Sequence, residues 1–282
     1  MSMPPILVAD LFPEITLRLV ALLRSLSPDE WLLPTSSLRR TVKDLVSHLL
    51  DGSLRRLSIQ RDGYVAPGDS GRPRPKETLV AYLDRLNDEW EVGTRRLSPR
   101  ALVDLMERAD FELAALFASL DPMGPAIFPV AWAGEQRSEN WMDVARDYTE
   151  KWHHAQQIFD ATNRPSTILN AELGRPCYET FMRALPFTFG DAIAPDGAVV
   201  TVTIAGAAGG AWHVERTPAG WRQIELPTRP PVAEAELADD FAWKIFTKRR
   251  PREEFLRRFP GIRIEGDESL GLRVLDMVAV MA

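Results

Sequence analysis

The stretch Thr149-Glu150-Lys151-Trp152-His153-His154-Ala155-Gln156-Gln157-Ile158, TEKWHHAQQI, reads as part of a helix and sets a glutamate four residues ahead of a histidine. Residues four apart on a helix lie on one face. That is the spacing from which one helix can offer two ligands to a metal ion. Two of the chain's four histidines are in this stretch. His153 is three residues from Glu150 and shares the face as well, so spacing alone does not choose between His153 and His154. The same spacing also describes a surface pair worth about 0.3 kcal/mol. A metal site needs a third ligand from elsewhere, and the remaining histidines are His48 and His213. At about 100° per residue, His48 sits beside Leu45 but off the centre of its helix's apolar stripe. Glu150 and His154 flank their own stripe. All three therefore belong at the edge of a helix seam, where an open site must be for a substrate to reach it. His213 falls in a predicted sheet and is less well placed.

Working outward from this helix, the first 165 residues read as helical. Leu11 to Leu26 carries apolar side chains at helical spacing. Ser27-Pro28-Asp29-Glu30 is a capping box that starts a short helix at Trp31. Thr41-Val42-Lys43-Asp44 opens a helix through Leu45, Val46, Leu49, Leu50, Leu54 and Leu57, and His48 is on it. A Gly/Pro-rich loop is predicted from Gly63 to Pro75, then a helix from Lys76 to Leu97. Ser98-Pro99 starts the next helix, which ends near Asp121-Pro122. Asn140 caps the helix that carries the opening stretch and ends near Asn163-Arg164-Pro165. Four long helices with short links predict an antiparallel four-helix bundle.

The pattern changes after about residue 190. Val199 to Ile204 is β-branched throughout, which suits a strand. Ala211 to Arg216 and Trp221 to Leu226 flank a hairpin turn at Thr217-Pro218-Ala219-Gly220. Ala233 to Lys248 and Arg252 to Phe259 read as helices, Gly261 to Glu265 as a strand, and Leu270 to Met281 as a final helix. The fold class is α+β: a helical bundle over 1–165 followed by a small α/β domain over 166–282.

Composition narrows the function. The chain has 282 residues, 45% hydrophobic and 26% charged, and a formal charge of −6. A mildly acidic chain has no global attraction for nucleic acid or an anionic membrane. No apolar run reaches the roughly 18 residues of a membrane helix, and the N-terminus lacks the features of a signal peptide. The expected location is the cytoplasm. Cys177 is the only cysteine, so no intrachain disulfide or thiolate metal site can form. Other features have simple accounts. Gly206 to Gly210 suits a strand-connecting turn better than a phosphate loop. Cys177 suits a packed core position. Lys248 to Arg252 suits a solvated helix end. Trp31, Trp90, Trp141 and Trp152 suit the core, and Trp132 is the one candidate for a site wall.

The segment from Thr41 to Leu49, with Trp31 upstream, resembles the first histidine motif of the DinB-like superfamily, and most closely its mycothiol-dependent maleylpyruvate isomerase branch. Ala131-Trp132-Ala133-Gly134-Glu135 and Tyr148 to Gln157 resemble that branch too. The resemblance covers most of residues 10–165. The C-terminal part looks more loosely like the family's smaller domain, similar to a sterol-carrier fold. Laid on this chain, the family pattern selects His48, Glu150 and His154 as ligands and leaves His153 at a position the family does not use. The resemblance implies a divalent metal, zinc first with nickel or iron(II) as alternatives, and mycothiol or another low-molecular-weight thiol. The thiolate would add to a cis double bond, let it rotate, and leave, turning maleylpyruvate into fumarylpyruvate. The implied partners are a small thiol and a small electrophile, and a homodimer is allowed. Gln157, Asp44 and Asp51 are within reach to orient the imidazoles. A carboxylate-rich substrate calls for a cationic clamp, for which Arg216, Arg222, Lys248, Arg249 and Arg263 are candidates. The triad predicts metal and thiol chemistry but does not itself name the substrate. Isomerase and thiol S-transferase are both open, as are a metal-dependent hydrolase and a non-catalytic binding or regulatory protein.

Overall fold

The structure is a computed structural model and describes residues 3–37, 40–65, 78–227, 229–248 and 250–280. The helices are α1 Phe12–Arg24, α2 Val42–Arg56, α3 Leu79–Thr94, α4 Pro99–Ser119, α5 Asn140–Ala161, α6 Arg175–Phe181, α7 Leu185–Thr188, α8 Asp239–Phe246, α9 Arg252–Arg258 and α10 Glu268–Arg273. The strands are β1 Val199–Ala205, β2 Gly210–Thr217, β3 Gly220–Ile224, β4 Ala233–Ala238 and β5 Arg263–Gly266. The contacts divide into two compact units, one of residues 8–121 and 151–168, the other of residues 1–7, 122–150 and 169–282. The division falls inside α5, which runs unbroken from Asn140 to Ala161.

In the first unit, helix starts are written into the sequence. Thr41 Oγ1 accepts from Asp44 N at 3.3 Å while Asp44 Oδ2 accepts from Thr41 N at 2.9 Å, a reciprocal cap on α2. Ser98 Oγ accepts from Ala101 N at 3.2 Å, with Pro99 in the first turn of α4. The expected helix at Trp31 is a single 3-10 turn, Glu30–Leu32. The predicted Gly63 to Pro75 loop and the Lys76 helix start lie largely outside the described residues.

The apolar stripes of these helices meet in one core. Ile15 and Leu19 of α1, Leu45 and Val46 of α2, Leu102 and Met106 of α4, and Trp152 and Ile158 of α5 are all buried. Phe12 packs on Phe117 with ring centroids 4.9 Å apart. α3 joins through Trp90 Nε1, which donates to Ser47 O at 2.8 Å.

This core also contains a buried ion pair. Asp110 of α4 is 2% exposed and Lys151 of α5 is 6% exposed. Lys151 Nζ donates to Asp110 Oδ2, and Ser53 Oγ of α2 donates to Asp110 Oδ1 at 2.7 Å. One carboxylate thus ties α4 to α2 and to α5. A buried pair gives little net stability, but a buried charge left alone is costly.

The other unit is built on a five-stranded sheet of order β3-β2-β1-β4-β5. β1 and β4 run parallel and the other neighbours are antiparallel. Val200, Val202, Ile204, Trp212, Val214, Ala235 and Leu237 form the buried face. The glycine-rich segment after β1 is a strand-connecting turn, as expected. Gly206 has φ 131°, and a Cβ there would lie 2.2 Å from the Asp239 carboxylate. That carboxylate accepts from Ala208 N at 2.9 Å, so the turn needs glycine at this point. Cys177 is buried in α6.

Two sequence expectations are corrected here. Ala233 to Lys248 is not one helix: Ala233–Ala238 is strand β4, and the helix is confined to Asp239–Phe246. Alanine and glutamate favour helix by propensity, but buried Ala233, Ala235 and Leu237 alternate with the less buried Glu234, Glu236 and Ala238. That is the period of a strand, and pairing with β1 and β5 overrides propensity. The final helix is also shorter than Leu270 to Met281. α10 ends at Arg273, a 3-10 turn follows, and Ala279 N instead donates to Phe246 O at 2.8 Å.

Asp110→Ala is expected to cost about 3–5 kcal/mol in denaturant unfolding, because it strands the Lys151 charge. Asp110→Ala with Lys151→Met should recover most of that loss. A double variant as unstable as the single one would show that the ion pair is not the source of the cost.

Candidate metal centre

The second half of α5 carries the opening stretch, and every residue from Lys151 to Phe159 is buried, polar ones included. Trp152, Ala155, Ile158 and Phe159 go into the core. Glu150, His153 and His154 come together along the helix, and one ligand atom from each lies within 4.8 Å of the others. Glu150 is half-buried, while His153 and His154 are 5% and 7% exposed. The His153 and His154 rings are 4.7 Å apart at an interplanar angle of 33°.

His48 reaches this helix from α2. Its ring meets that of His154 edge-on, with centroids 5.0 Å apart and planes at 90°. The α2 stripe sets this geometry: Leu45, Val46, Leu49 and Leu50 are buried and His48, between them in sequence, is half-buried. Burial holds the His48 imidazole well below its ordinary pKa of 6.5. The neighbouring His154 imidazole and the Arg40 and Arg55 guanidinium groups push it further down, and the Asn87 side chain opposes them. His48 is therefore neutral at pH 7, the form that ligates metals. Its Nδ1 is buried without a hydrogen-bond partner among the described residues.

Of the three residues within reach to orient an imidazole, Gln157 does so. Gln157 Oε1 lies 2.8 Å from His154 Nδ1. A carbonyl oxygen only accepts, so Nδ1 carries the proton and Nε2 keeps its lone pair. Asp44 is taken by the Thr41 cap, and Asp51 pairs with Arg55 at 3.0 Å. One turn before Glu150, Arg146 holds Asp143 at 2.8 Å and Asp147 at 2.7 Å. Burial pulls the Arg146 pKa down, but Asp147, Asp143 and Glu150 outweigh it and the net shift is upward.

The family resemblance selects His48 together with His154, and in the structure their rings meet edge-on. The structure also brings in His153, which spacing admitted and the family pattern set aside. His213 is engaged elsewhere, its Nδ1 2.9 Å from Thr201 Oγ1. Among the cationic candidates, Arg222 pairs with Glu215 at 2.7 Å and Arg263 with Glu236 at 3.5 Å. Lys248 is half-buried, and burial together with Arg250 and Arg258 lowers its pKa. Arg216 keeps a buried Nε without a hydrogen-bond partner among the described residues. Arg249 lies outside the described residues. Trp132 sits half-buried on the 3-10 turn Ala131–Ala133. No helix among the described residues is long and apolar enough to cross a membrane.

The His48 environment has a pH consequence. The unfolded chain takes up this proton near pH 6.5, whereas the folded chain takes it up only well below. The unfolded state binds more protons in that window, so stability falls as pH drops through it. Denaturant unfolding of chelator-treated protein at about pH 7.5 and about pH 5.5 should show a larger loss for the native chain than for His48→Phe. Equal losses would refute a depressed His48.

Comparison with known proteins identifies the family of the helical part. The family model for the mycothiol maleylpyruvate isomerase N-terminal domain matches residues 12–159, a span that contains His48, Glu150 and His154. No curated protein sequence matches the chain. Two solved structures share its fold: the mycothiol-dependent maleylpyruvate isomerase and a histidine-to-alanine mutant of it. Each is 12% identical with a TM-score of 0.50, over 86% of this chain and 91% of that one. With just over half of its residues matched by the family model, the chain belongs to the mycothiol maleylpyruvate isomerase N-terminal domain family.

Proposed function

We propose that this chain is a metal-dependent enzyme that uses an external small thiol to isomerise a small cis-alkene, with mycothiol as the thiol and maleylpyruvate as the substrate. The observation that carries the reading is His48 set edge-on to His154, beside Glu150 and His153 on α5. His48, Glu150 and His154 are the proposed ligands of one divalent ion. Zinc comes first and nickel or iron(II) second, since two imidazoles and a carboxylate suit all three and leave positions open. The donor set supports this. His48 is neutral with a buried, unpartnered Nδ1, and His154 has its tautomer set by Gln157. A bound ion there supplies a positive charge that favours the thiolate form of a thiol at neutral pH.

The rest of the reading concerns the chain's own residues. Glu150 offsets part of an ion's charge and holds its place one turn from His154. Gln157 keeps the His154 Nδ1 proton in place, so that Nε2 stays a donor. The thiol has to come from outside. Cys177 is the only cysteine, it is buried, and burial pushes its thiol pKa well up. In the reaction, sulfur adds to one alkene carbon and a proton to the other. The bond between them is then single and rotates. Loss of the same proton and thiolate restores the alkene in the trans form. Nothing is consumed, which is why the thiol acts as a cofactor. The domains in this reading are a metal-binding domain of 1–165 and a C-terminal domain of 166–282. A cytoplasmic location belongs to the same reading.

Zinc-loaded protein should convert maleylpyruvate only when mycothiol is added, followed by absorbance or by chromatography of the product. Conversion without thiol would favour a hydrolase or another metal enzyme. In the cobalt-substituted protein, a thiol that leaves the visible spectrum unchanged would refute thiol binding at the ion. Gln157→Leu should weaken metal binding by about 10–100-fold while thermal stability of the metal-free protein changes little. Unchanged affinity would remove Gln157 from the site.

A further inference from the structure

Two imidazoles lie at nearly equal distance from the His154 ring. The His48 ring is 5.0 Å away on α2 and the His153 ring is 4.7 Å away on α5. Glu150 is close to both α5 histidines, with ligand atoms of Glu150, His153 and His154 mutually within 4.8 Å. Gln157 occupies His154 Nδ1, which leaves Nε2 as the donor of that ring. We propose that the site holds two overlapping ligand sets: Glu150 and His154 belong to both, and His48 and His153 are alternative third ligands. The inference rests on the metal reading above and adds to it a histidine that the family pattern leaves unused.

Helix geometry explains why His153 is eligible. It is three residues beyond Glu150 and so shares a helix face with it. Its burial matches that of His154, at 5% against 7% exposed. The two third ligands also differ in how they are held. His153 comes from the same helix as Glu150 and His154, so a set made with it depends on α5 alone. His48 comes from α2, so a set made with it depends on the packing of two helices. The α5 set can therefore hold an ion when α2 no longer offers its ligand, and it changes the coordination geometry when it does so.

The test is cobalt binding to the full chain, read by metal stoichiometry and visible absorption, with circular dichroism of each metal-free variant to confirm folding. Phenylalanine replaces histidine so that ring volume is kept. The native protein and His153→Phe should each take up about one cobalt per chain. His48→Phe should also take up about one cobalt, with a changed spectrum and weaker affinity. His48→Phe with His153→Phe should take up none, and neither should His154→Phe. Loss of cobalt in His48→Phe as complete as in His154→Phe would overturn the alternative set while leaving the metal reading intact. So would retention of cobalt by the His48→Phe, His153→Phe double variant. A native protein that binds no cobalt would overturn the metal reading and this inference with it.

Discussion

The buried contact between Asp110 and Lys151 constrains the helical unit more sharply than any apolar contact in it. Apolar side chains tolerate a helix that slides or rotates by a few degrees, because one hydrophobic surface replaces another. A buried ammonium does not, because every other alignment leaves it without its carboxylate. Asp110 also accepts from Ser53, so the same carboxylate locates α2. Lys151 follows Glu150 directly and lies two residues before the histidine pair. Fixing its rotation fixes the direction in which Glu150, His153 and His154 leave α5, and the Ser53 bond fixes the helix that carries His48.

That frame accounts for the chemical state of the cluster. Burial does two opposite things to a histidine. It disfavours the charged form, which keeps His48 neutral and able to ligate. It also demands a partner for each ring nitrogen, which Gln157 supplies at His154 Nδ1. The cationic side chains nearby are already engaged: Arg40 with Glu91 at 2.6 Å and Arg55 with Asp51 at 3.0 Å. Their charge lowers the His48 pKa without occupying its nitrogens.

The sheet unit follows a different logic. Its central parallel pair, β1 with β4, joins a β-branched strand that announces itself to an Ala/Glu strand that does not. β4 carries too few large apolar residues to read as a strand alone. Its alternation has meaning only beside β1, where Ala235 and Leu237 face the same core as Val202 and Ile204. Asp239, the first residue after β4, then serves the neighbouring turn rather than its own helix, by accepting from Ala208 N.

Much of the helical half was legible because its signals are local. Caps at Thr41 and Ser98 are reciprocal bonds between residues three apart, and helical periodicity is fixed at about 3.6 residues per turn. The i,i+3 and i,i+4 relations of Glu150, His153 and His154 are equally local, so the sequence by itself determined that these side chains share a helix and a face. The cross-helix relations were not local. That His48 meets His154 edge-on at 5.0 Å and that Asp110 pairs with Lys151 both depend on how helices pack. The choice of Gln157 over Asp44 and Asp51 depended on which carboxylates were already bound to Thr41 and Arg55. β4 reads as helix in the sequence for the same reason: propensity belongs to the residue, whereas strand pairing belongs to its neighbours in space. Spacing along the chain sets which side chains share a helix face, because that relation is local, whereas packing between helices sets which of them meet.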